Sequence, residues 1–359
     1  MSKKIIFSSG GTGGHMFPTI GVMQHFLKKN YEAILVTDNR GIFYLKNSSN
    51  IKYYIINTDS PTNKKYFDKF LSFKKIILSI FKSLFILIRE KPNLVFGFGG
   101  YVSFPILIAA KILNIPLAIY ENNMVLGRTN NYLLPISKKL LLASDKILNI
   151  PPKYKNKVKK VGHIIREDFL NHDLNRKKSE DNKFSLLILG GSQGAKIFGI
   201  VVPKVIKKIH DLGYNIMIYH QCIKGQKTEL ENFYKNNNIN SKVFEFSNNI
   251  LEFILKSDLV ISRCGASTTA ELAFTNTPFV AIPYPHAVDN HQYLNAKYYA
   301  DKGLCWIIEQ HNFSNENLFN LIIEIFKDKK KLKLKKENMQ KDDFKLTSHN
   351  IEAEIKDLI

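Results

Sequence analysis

The sequence predicts an α/β protein with two Rossmann-like, doubly wound parallel-sheet domains, on three observations. Short apolar runs alternate with stretches of helical spacing through most of the 359 residues, the pattern of parallel sheets with helices on both faces. Glycine-rich loops follow directly on such runs at Gly10–Gly14, Gly97–Gly100 and Gly190–Gly194, at the strand ends where open α/β sheets hold ligands. Periodicity fades between Leu148 and Arg166, Asn171 to Lys183 is wholly polar apart from Leu174, and the alternation then begins afresh. Domains are accordingly expected over residues 1–163 and 164–337.

Ile5-Ile6-Phe7 reads as the first strand and Gly21–Leu27 as part of the first helix, so Ser8–Pro18 lies where strand turns into helix. Glycines there let backbone N–H groups approach an anion, and the helix N-terminus adds a favourable dipole, so a phosphate or diphosphate is the expected guest. Pro18 suits an early helical position. A nicotinamide fingerprint fits poorly, because the position that needs a third glycine or alanine is Met16; Asp38, after the strand Ala33–Thr37, is the one residue that imitates its ribose-binding acid.

Lys69–Arg89 is more apolar than an ordinary surface helix. Phe70, Phe73, Ile77, Phe81, Leu84 and Ile88 form one stripe expected to face the core, leaving Ile76, Ile80 and Leu87 among Lys69, Lys74, Lys75 and Lys82 on a second side. Internal lysines exclude a bilayer span, so the helix either lies on an anionic membrane surface or is buried with snorkelling lysines.

The strand Leu94–Phe96 leads into Gly97-Phe-Gly99-Gly100-Tyr101, and Pro116–Tyr120 ends in Glu121-Asn122-Asn123. In the second half, Phe184–Leu189 runs into Gly190-Gly-Ser192-Gln-Gly-Ala195, and further strands are expected at Ile216–Tyr219, Val243–Phe246, Leu259–Ser262, Phe279–Ile282 and Cys305–Ile308. Ala266–Glu271 places small residues and hydroxyls at a strand-to-helix junction, another anion site. Glu271 is either a ligand contact or a first-turn acid favoured by the dipole.

A formal charge of +21 favours anionic partners. Its lysines are spread along the chain and no zinc-finger, RNA-binding or helix-turn-helix pattern occurs, so nucleic acid is not expected. Cys222, Cys264 and Cys305 have neither metal spacing nor a paired framework. The first residues enter a strand without a signal peptide.

Taken in order and spacing, Gly10-Gly-Thr-Gly-Gly-His15, Gly99-Gly-Tyr-Val-Ser103, Glu121-x-Asn123, Gly190-Gly-Ser-Gln-Gly-Ala195 and Gly265-Ala-x-Thr-x-x-Glu271 resemble the MurG family of peptidoglycan glycosyltransferases, from Lys3 to about Gln310. The resemblance implies a GT-B fold, two Rossmann-like domains facing a central cleft, with a final helix at about 338–359 returning to the first domain. It implies an inverting transfer of GlcNAc from UDP-GlcNAc to the 4-hydroxyl of MurNAc in undecaprenyl-diphosphate-MurNAc-pentapeptide, at the cytoplasmic face of the inner membrane. No cofactor and no metal are expected. Partners would be both substrates, the anionic membrane surface and other cell-wall synthesis proteins.

By the same resemblance, Thr12, Gly13 and Gly14 lie near the donor and the acceptor diphosphate, with Gly99, Gly100 and Tyr101 on the diphosphate. Asn123 lies near the donor sugar, and Arg166 and Ser192 contact the donor diphosphate. Ser247, Ala266, Ser267, Thr268, Thr269, Ala270 and Glu271 match the nucleotide site, with Glu271 on the ribose, and Gln292 contacts GlcNAc. His15 is the leading general base, against a loop-stabilising role, with Glu121 next. Tyr120, Asn122, His163 and Ser247 depart from the family pattern. Other GT-B enzymes, a glycolipid synthase or a UDP-GlcNAc epimerase, and a non-enzymatic basic membrane-binding protein are the competing readings.

Overall fold

The computed structural model describes residues 3–45, 51–58, 66–174, 183–192, 194–247, 249–339 and 346–359, with the side chains of 66–70 left aside. Two compact units emerge, one of Met1–Arg166 with Phe344–Ile359 and one of Glu167–Asp343. The polar stretch 171–183 lies largely outside the described residues.

The first unit is built on a parallel sheet of β1 (Lys4–Ser8), β2 (Glu32–Thr37), β3 (Lys52–Ile55), β4 (Leu94–Gly97), β5 (Leu117–Glu121), β6 (Lys139–Leu142) and β7 (Val158–Lys160), in the order β3-β2-β1-β4-β5-β6-β7. Register sets Phe7 beside Leu35 on one side and Phe96 on the other. Met16, Val22, Met23 and Phe26 of the helix Gly13–Lys28 complete that core. Each such large side chain, fully buried, contributes about 1.5–3 kcal/mol.

The second unit repeats the plan with β8 (Phe184–Leu189), β9 (Ile216–Gln221), β10 (Asn240–Phe244), β11 (Leu259–Ser262), β12 (Phe279–Ala281) and β13 (Cys305–Ile307), ordered β10-β9-β8-β11-β12-β13. Strand order therefore reverses between β1 and β4 in one sheet and between β8 and β11 in the other. A doubly wound sheet opens a ligand crevice at such a reversal, beyond the carboxyl ends of its strands. All three cysteines are buried thiols.

The structure differs from the sequence reading at several elements. The first helix begins at Gly13, so Gly13, Gly14 and His15 form its opening turn, and Pro18 stands inside the helix. The long helix runs Tyr66–Glu90 and turns the opposite side inward. Ser72, Ser79, Ser83, Ile86, Leu87 and Glu90 are buried, whereas Phe73, Ile77, Phe81 and Ile88 of the expected core stripe are exposed and Leu84 is half-buried. Ile76 and Ile80, assigned to the membrane side, are half-buried. Lys74, Lys75 and Lys82 are exposed, and the side chain of Lys69 lies outside the described residues. At the other end of the chain, the helices Lys329–Met339 and Thr347–Ile355 replace a single helix over 338–359.

Candidate active site

Each sheet carries one cluster of the expected residues at its reversal. In the first unit, Thr12 caps the helix Gly13–Lys28 from an extended backbone. Its loop is held by Asp38, whose Oδ1 accepts N–H groups of Gly11 at 3.0 Å and Gly41 at 2.8 Å, while Oδ2 takes Arg40 Nη2 at 2.8 Å. Burial raises the Asp38 pKa, and these donors more than offset that, so it lies below its usual value. Asp38 thus builds the loop, which removes the ribose-binding role that would favour a nicotinamide enzyme.

The loop after β4 packs on the first one. A Cβ on Gly100, at φ +76, would stand 3.1 Å from the Gly10 carbonyl oxygen, and one on Gly99, at φ +82, would stand 3.2 Å from the His15 ring. Only glycine meets both the left-handed backbone and the close approach. Ser103 fastens the second loop, its hydroxyl lying 3.0 Å from Ser8 O and 2.7 Å from Gly99 O. His15, Gly99 and Gly100 are therefore adjacent, and Tyr101 beside them is 41% exposed, with its ring available to a ligand.

Glu121, at the end of β5, is buried among four donors. Oε1 accepts Asn123 N at 2.9 Å and Nδ2 at 3.1 Å, and Oε2 accepts Gly127 N and Asn130 Nδ2, both at 2.9 Å. A carboxylate so used anchors the loop and orients Asn123, and these four partners would have to give way before Glu121, the next candidate base, took a substrate proton. The departures beside it form one buried group: the Tyr120 hydroxyl lies 3.1 Å from Asn122 Oδ1 and 3.0 Å from Gly162 O. Burial pushes the Tyr120 pKa up and keeps that proton in place. His163 is buried, its carbonyl accepting the Thr347 hydroxyl at 2.9 Å. Arg166 closes the first unit with its guanidinium 4.6 Å from the Phe17 ring, a cation–π contact beside the helix start.

In the second unit, the Gly190–Ala195 loop leads from β8 into the helix Lys196–Asp211. Gly191 and Gly194 have φ of +77 and +71, and Gly190 N donates to Gln221 Oε1 at 3.1 Å. Ser192 is exposed on this loop. Across the reversal, Gly265 precedes the helix Ala266–Phe274. Ala266, Ser267, Thr269, Ala270 and Glu271 are buried and Thr268 is half-buried. Glu271 is the sixth residue of that helix, past the turn where its dipole acts, so the dipole does not account for the acid.

Gln292 gathers two chain segments, its Oε1 accepting Cys264 N at 3.1 Å and Tyr284 N at 3.0 Å. Those bonds occupy the amide oxygen and hold the side chain in one orientation. Ser247 follows β10, and its hydroxyl accepts Asn249 N at 3.1 Å. Arg263, unselected from sequence, lies beneath these loops between Phe198 and Tyr284, donating to the carbonyls of Ile282 and Pro283. Gln221 and Asn130 were likewise not selected, and Asp38 and Ser103, visible in the sequence, were not given their loop-holding roles. Gln221 shows in sequence only as a polar residue at a strand end, and Asn130 lies inside the helix Arg128–Leu133 with no such signal.

The glycosyltransferase family 28 N-terminal domain model matches residues 5–142, and the C-terminal domain model matches 185–351. A protein of Pelagibacter ubique, named UDP-N-acetylglucosamine–N-acetylmuramyl-(pentapeptide) pyrophosphoryl-undecaprenol N-acetylglucosamine transferase, is 38% identical over 99% of this chain and 98% of its own. The chain belongs to glycosyltransferase family 28. A Rickettsia bellii protein of the same name is 35% identical over 98% of this chain and 99% of its own. Among solved structures, Acinetobacter baumannii MurG aligns with TM-score 0.77 and 27% identity over 99% of both chains. The family 28 domains coincide with two parallel-sheet α/β units, the GT-B architecture. A Staphylococcus aureus MnaA–UDP structure aligns at TM-score 0.71 with 15% identity over 99% of this chain and 98% of that one, a likeness of fold alone.

Proposed function

We propose that this family 28 protein transfers GlcNAc from UDP-GlcNAc to the 4-hydroxyl of MurNAc in undecaprenyl-diphosphate-MurNAc-pentapeptide, with inversion at the anomeric carbon. The observation that carries the proposal is the pairing of glycine loops at a sheet reversal in the first unit, Gly10–Gly14 against Gly99–Gly100. It coincides with near-full-length similarity to relatives named for that transfer. A lipid-linked diphosphate suits N–H groups at the start of the helix Gly13–Lys28. The donor nucleotide suits the second reversal, where Glu271 would accept ribose hydroxyls, and Ser192, Ser247 and Ala266–Ala270 would line the uridine diphosphate.

In this mechanism the acceptor 4-hydroxyl attacks the anomeric carbon from the face opposite UDP, and His15 takes its proton. Arg166 and the helix N-termini receive the negative charge that builds on departing UDP. Asn123, oriented by Glu121, and Gln292, oriented by Cys264 and Tyr284, would hold the GlcNAc hydroxyl and acetamido groups. Among the described residues no helix is long and apolar enough to cross a membrane. The exposed side of the helix Tyr66–Glu90 would hold the enzyme peripherally at the cytoplasmic face of the inner membrane, where its acceptor lies.

The test is incubation with UDP-GlcNAc and a short-chain lipid-diphosphate-MurNAc-peptide, with products weighed by mass spectrometry. Gain of one N-acetylhexosamine on the acceptor is expected. Conversion of UDP-GlcNAc without acceptor gain would replace the proposal with an epimerase.

A further inference from the structure

We propose that His25, His349 and Glu352 form a divalent transition-metal site of the Zn2+ class, which staples the C-terminal helix Thr347–Ile355 to the helix Gly13–Lys28. Among the described residues these are the three side chains of metal-ligating type whose donor atoms converge, all within 4.8 Å of one another. His25 Nε2 lies 2.7 Å from Glu352 Oε2, and the His25 and His349 rings meet edge to face with centroids 4.7 Å apart. Tetrahedral ligands at about 2.0–2.1 Å from Zn2+ stand about 3.3 Å from each other. His25 Nε2 and Glu352 Oε2 stand closer than that and all three donor atoms lie within 4.8 Å of one another, so the site as proposed calls for small side-chain rotations.

Chemistry and placement favour a cation here. Two imidazoles and one carboxylate are a borderline donor set that suits Zn2+ and excludes Ca2+ or Mg2+ as preferred guests. His349 and Glu352 are three residues apart on one helix and so share a face. His25 lies in the last turn of its own helix, where the carbonyl ends of the backbone favour positive charge. His349 is exposed and the other two are half-buried, so an ion can enter and a water can fill the fourth position. By the rise of an α-helix, His25 stands about 18 Å from the glycine loop at the helix start. The site is thus separate from the one proposed for transfer, and it acts on how firmly residues 347–355 are held to the first unit.

Calorimetric titration of the full chain with Zn2+ at pH 7.5 tests this. One ion per chain is expected, with affinity falling about tenfold or more in His349→Ala and in Glu352→Gln. Bound Co2+ should give the visible absorption of a tetrahedral site, absent in both variants. Zn2+ should raise the thermal midpoint of the unaltered chain and leave that of His349→Ala unmoved. Because His349 is exposed, that variant retains the fold, which its far-ultraviolet circular dichroism will verify. Equal Zn2+ affinity in all three proteins, or no binding by the unaltered chain, overturns the proposal.

Discussion

At the scale of single residues, the two glycine loops separate ligand effects from folding effects. A methyl group on Gly14 would have Thr12 Oγ1, at 3.6 Å, as its nearest side-chain neighbour, an ordinary contact, and the backbone there is helical. Gly13 differs, since a Cβ would meet Phe17 at 2.8 Å. Gly14→Ala is therefore expected to leave the thermal midpoint unchanged or slightly raised, while kcat/KM falls because the methyl occupies the ligand's approach. His15→Ala should keep UDP affinity, lower kcat by about 10²–10⁴-fold and remove one limb of the pH–rate profile. Steady-state kinetics across pH, beside a melting curve, distinguish these outcomes. A near-normal kcat with an unchanged profile would assign His15 to loop packing against Gly99. In the second unit, Glu271→Ala should weaken UDP binding by about 1.5–3 kcal/mol, the worth of hydrogen bonds to a charged acceptor. Calorimetry with UDP measures it, and unaltered affinity would make Glu271 a purely structural acid.

At the scale of elements, the long helix Tyr66–Glu90 shows why periodicity alone can choose the wrong side. The expected stripe of residues 70, 73, 77, 81, 84 and 88 and the inward seam of 72, 76, 79, 83, 86 and 90, buried but for the half-buried Ile76, both step by three and four. What separates them is size. Small serines at 72, 79 and 83 lie on the buried side, where Ser79 donates to the Asn57 carbonyl at 3.1 Å and Ser83 to the Ser79 carbonyl at 2.6 Å, and Glu90 closes the seam by accepting Lys4, Lys52 and Tyr54. The exposed side then presents Phe73, Ile77, Leu78, Phe81, Phe85 and Ile88 among lysines, a large apolar patch. Phe81→Ser with Phe85→Ser, 65% and 66% exposed, should cut sedimentation with anionic vesicles while activity on a water-soluble acceptor survives. Undiminished sedimentation would take the membrane role from this helix.

Glu90 itself carries a pH effect. Burial raises its pKa, but hydrogen bonds from Lys52, Tyr54 and Lys4 prevail and hold it at about 2, against an ordinary 4.5. A carboxylate depressed on folding stabilises above its unfolded pKa and loses that contribution as pH falls through the folded one. Stability of the first unit should therefore decline between about pH 4.5 and 2, with Glu90 supplying on the order of 2–3 kcal/mol of it. Urea unfolding at several acid pH values should show a shallower decline in Glu90→Gln. The glycine loops and buried strands such as β1 and β8 were legible because a strand buried on both faces must be apolar throughout. β3, β6 and β7 were not; Lys52–Ile55 and Val158–Lys160 are edge strands half in water, with no buried apolar run to mark them. Glu121 and Asp38 were visible as acids, yet their hydrogen bonds to loop N–H groups follow from tertiary geometry.

At the scale of the whole molecule, the chain leaves the first unit at Arg166 and returns to it at Phe344. The returning segment belongs to that unit's core: Ile351 and Ile355 are fully buried against it. Thr347 donates to His163 O, Asn350 to Val161 O, and Asp357 accepts Lys139. Gly162 makes the approach possible, since at φ +104 a Cβ would lie 2.7 Å from the Thr347 hydroxyl. Periodicity alone left this segment able to pack anywhere, because two isoleucines on one face of a short helix do not name their partner; the return to the first unit was implied only by the family resemblance. Truncation after Asp343 should therefore act unequally on the two units. Removing two buried isoleucines costs several kcal/mol, about 2–5 for each by analogy with truncation to alanine, and the hydrogen bonds add to it. Stabilities of this order leave the first unit close to its unfolding threshold, while the second, Glu167–Asp343, keeps every residue of its core. Differential scanning calorimetry of the truncated chain should show an early transition alongside one at the original temperature of the second unit, with UDP still raising the latter. A single unshifted transition would mean that residues 344–359 lie on the first unit without stabilising it.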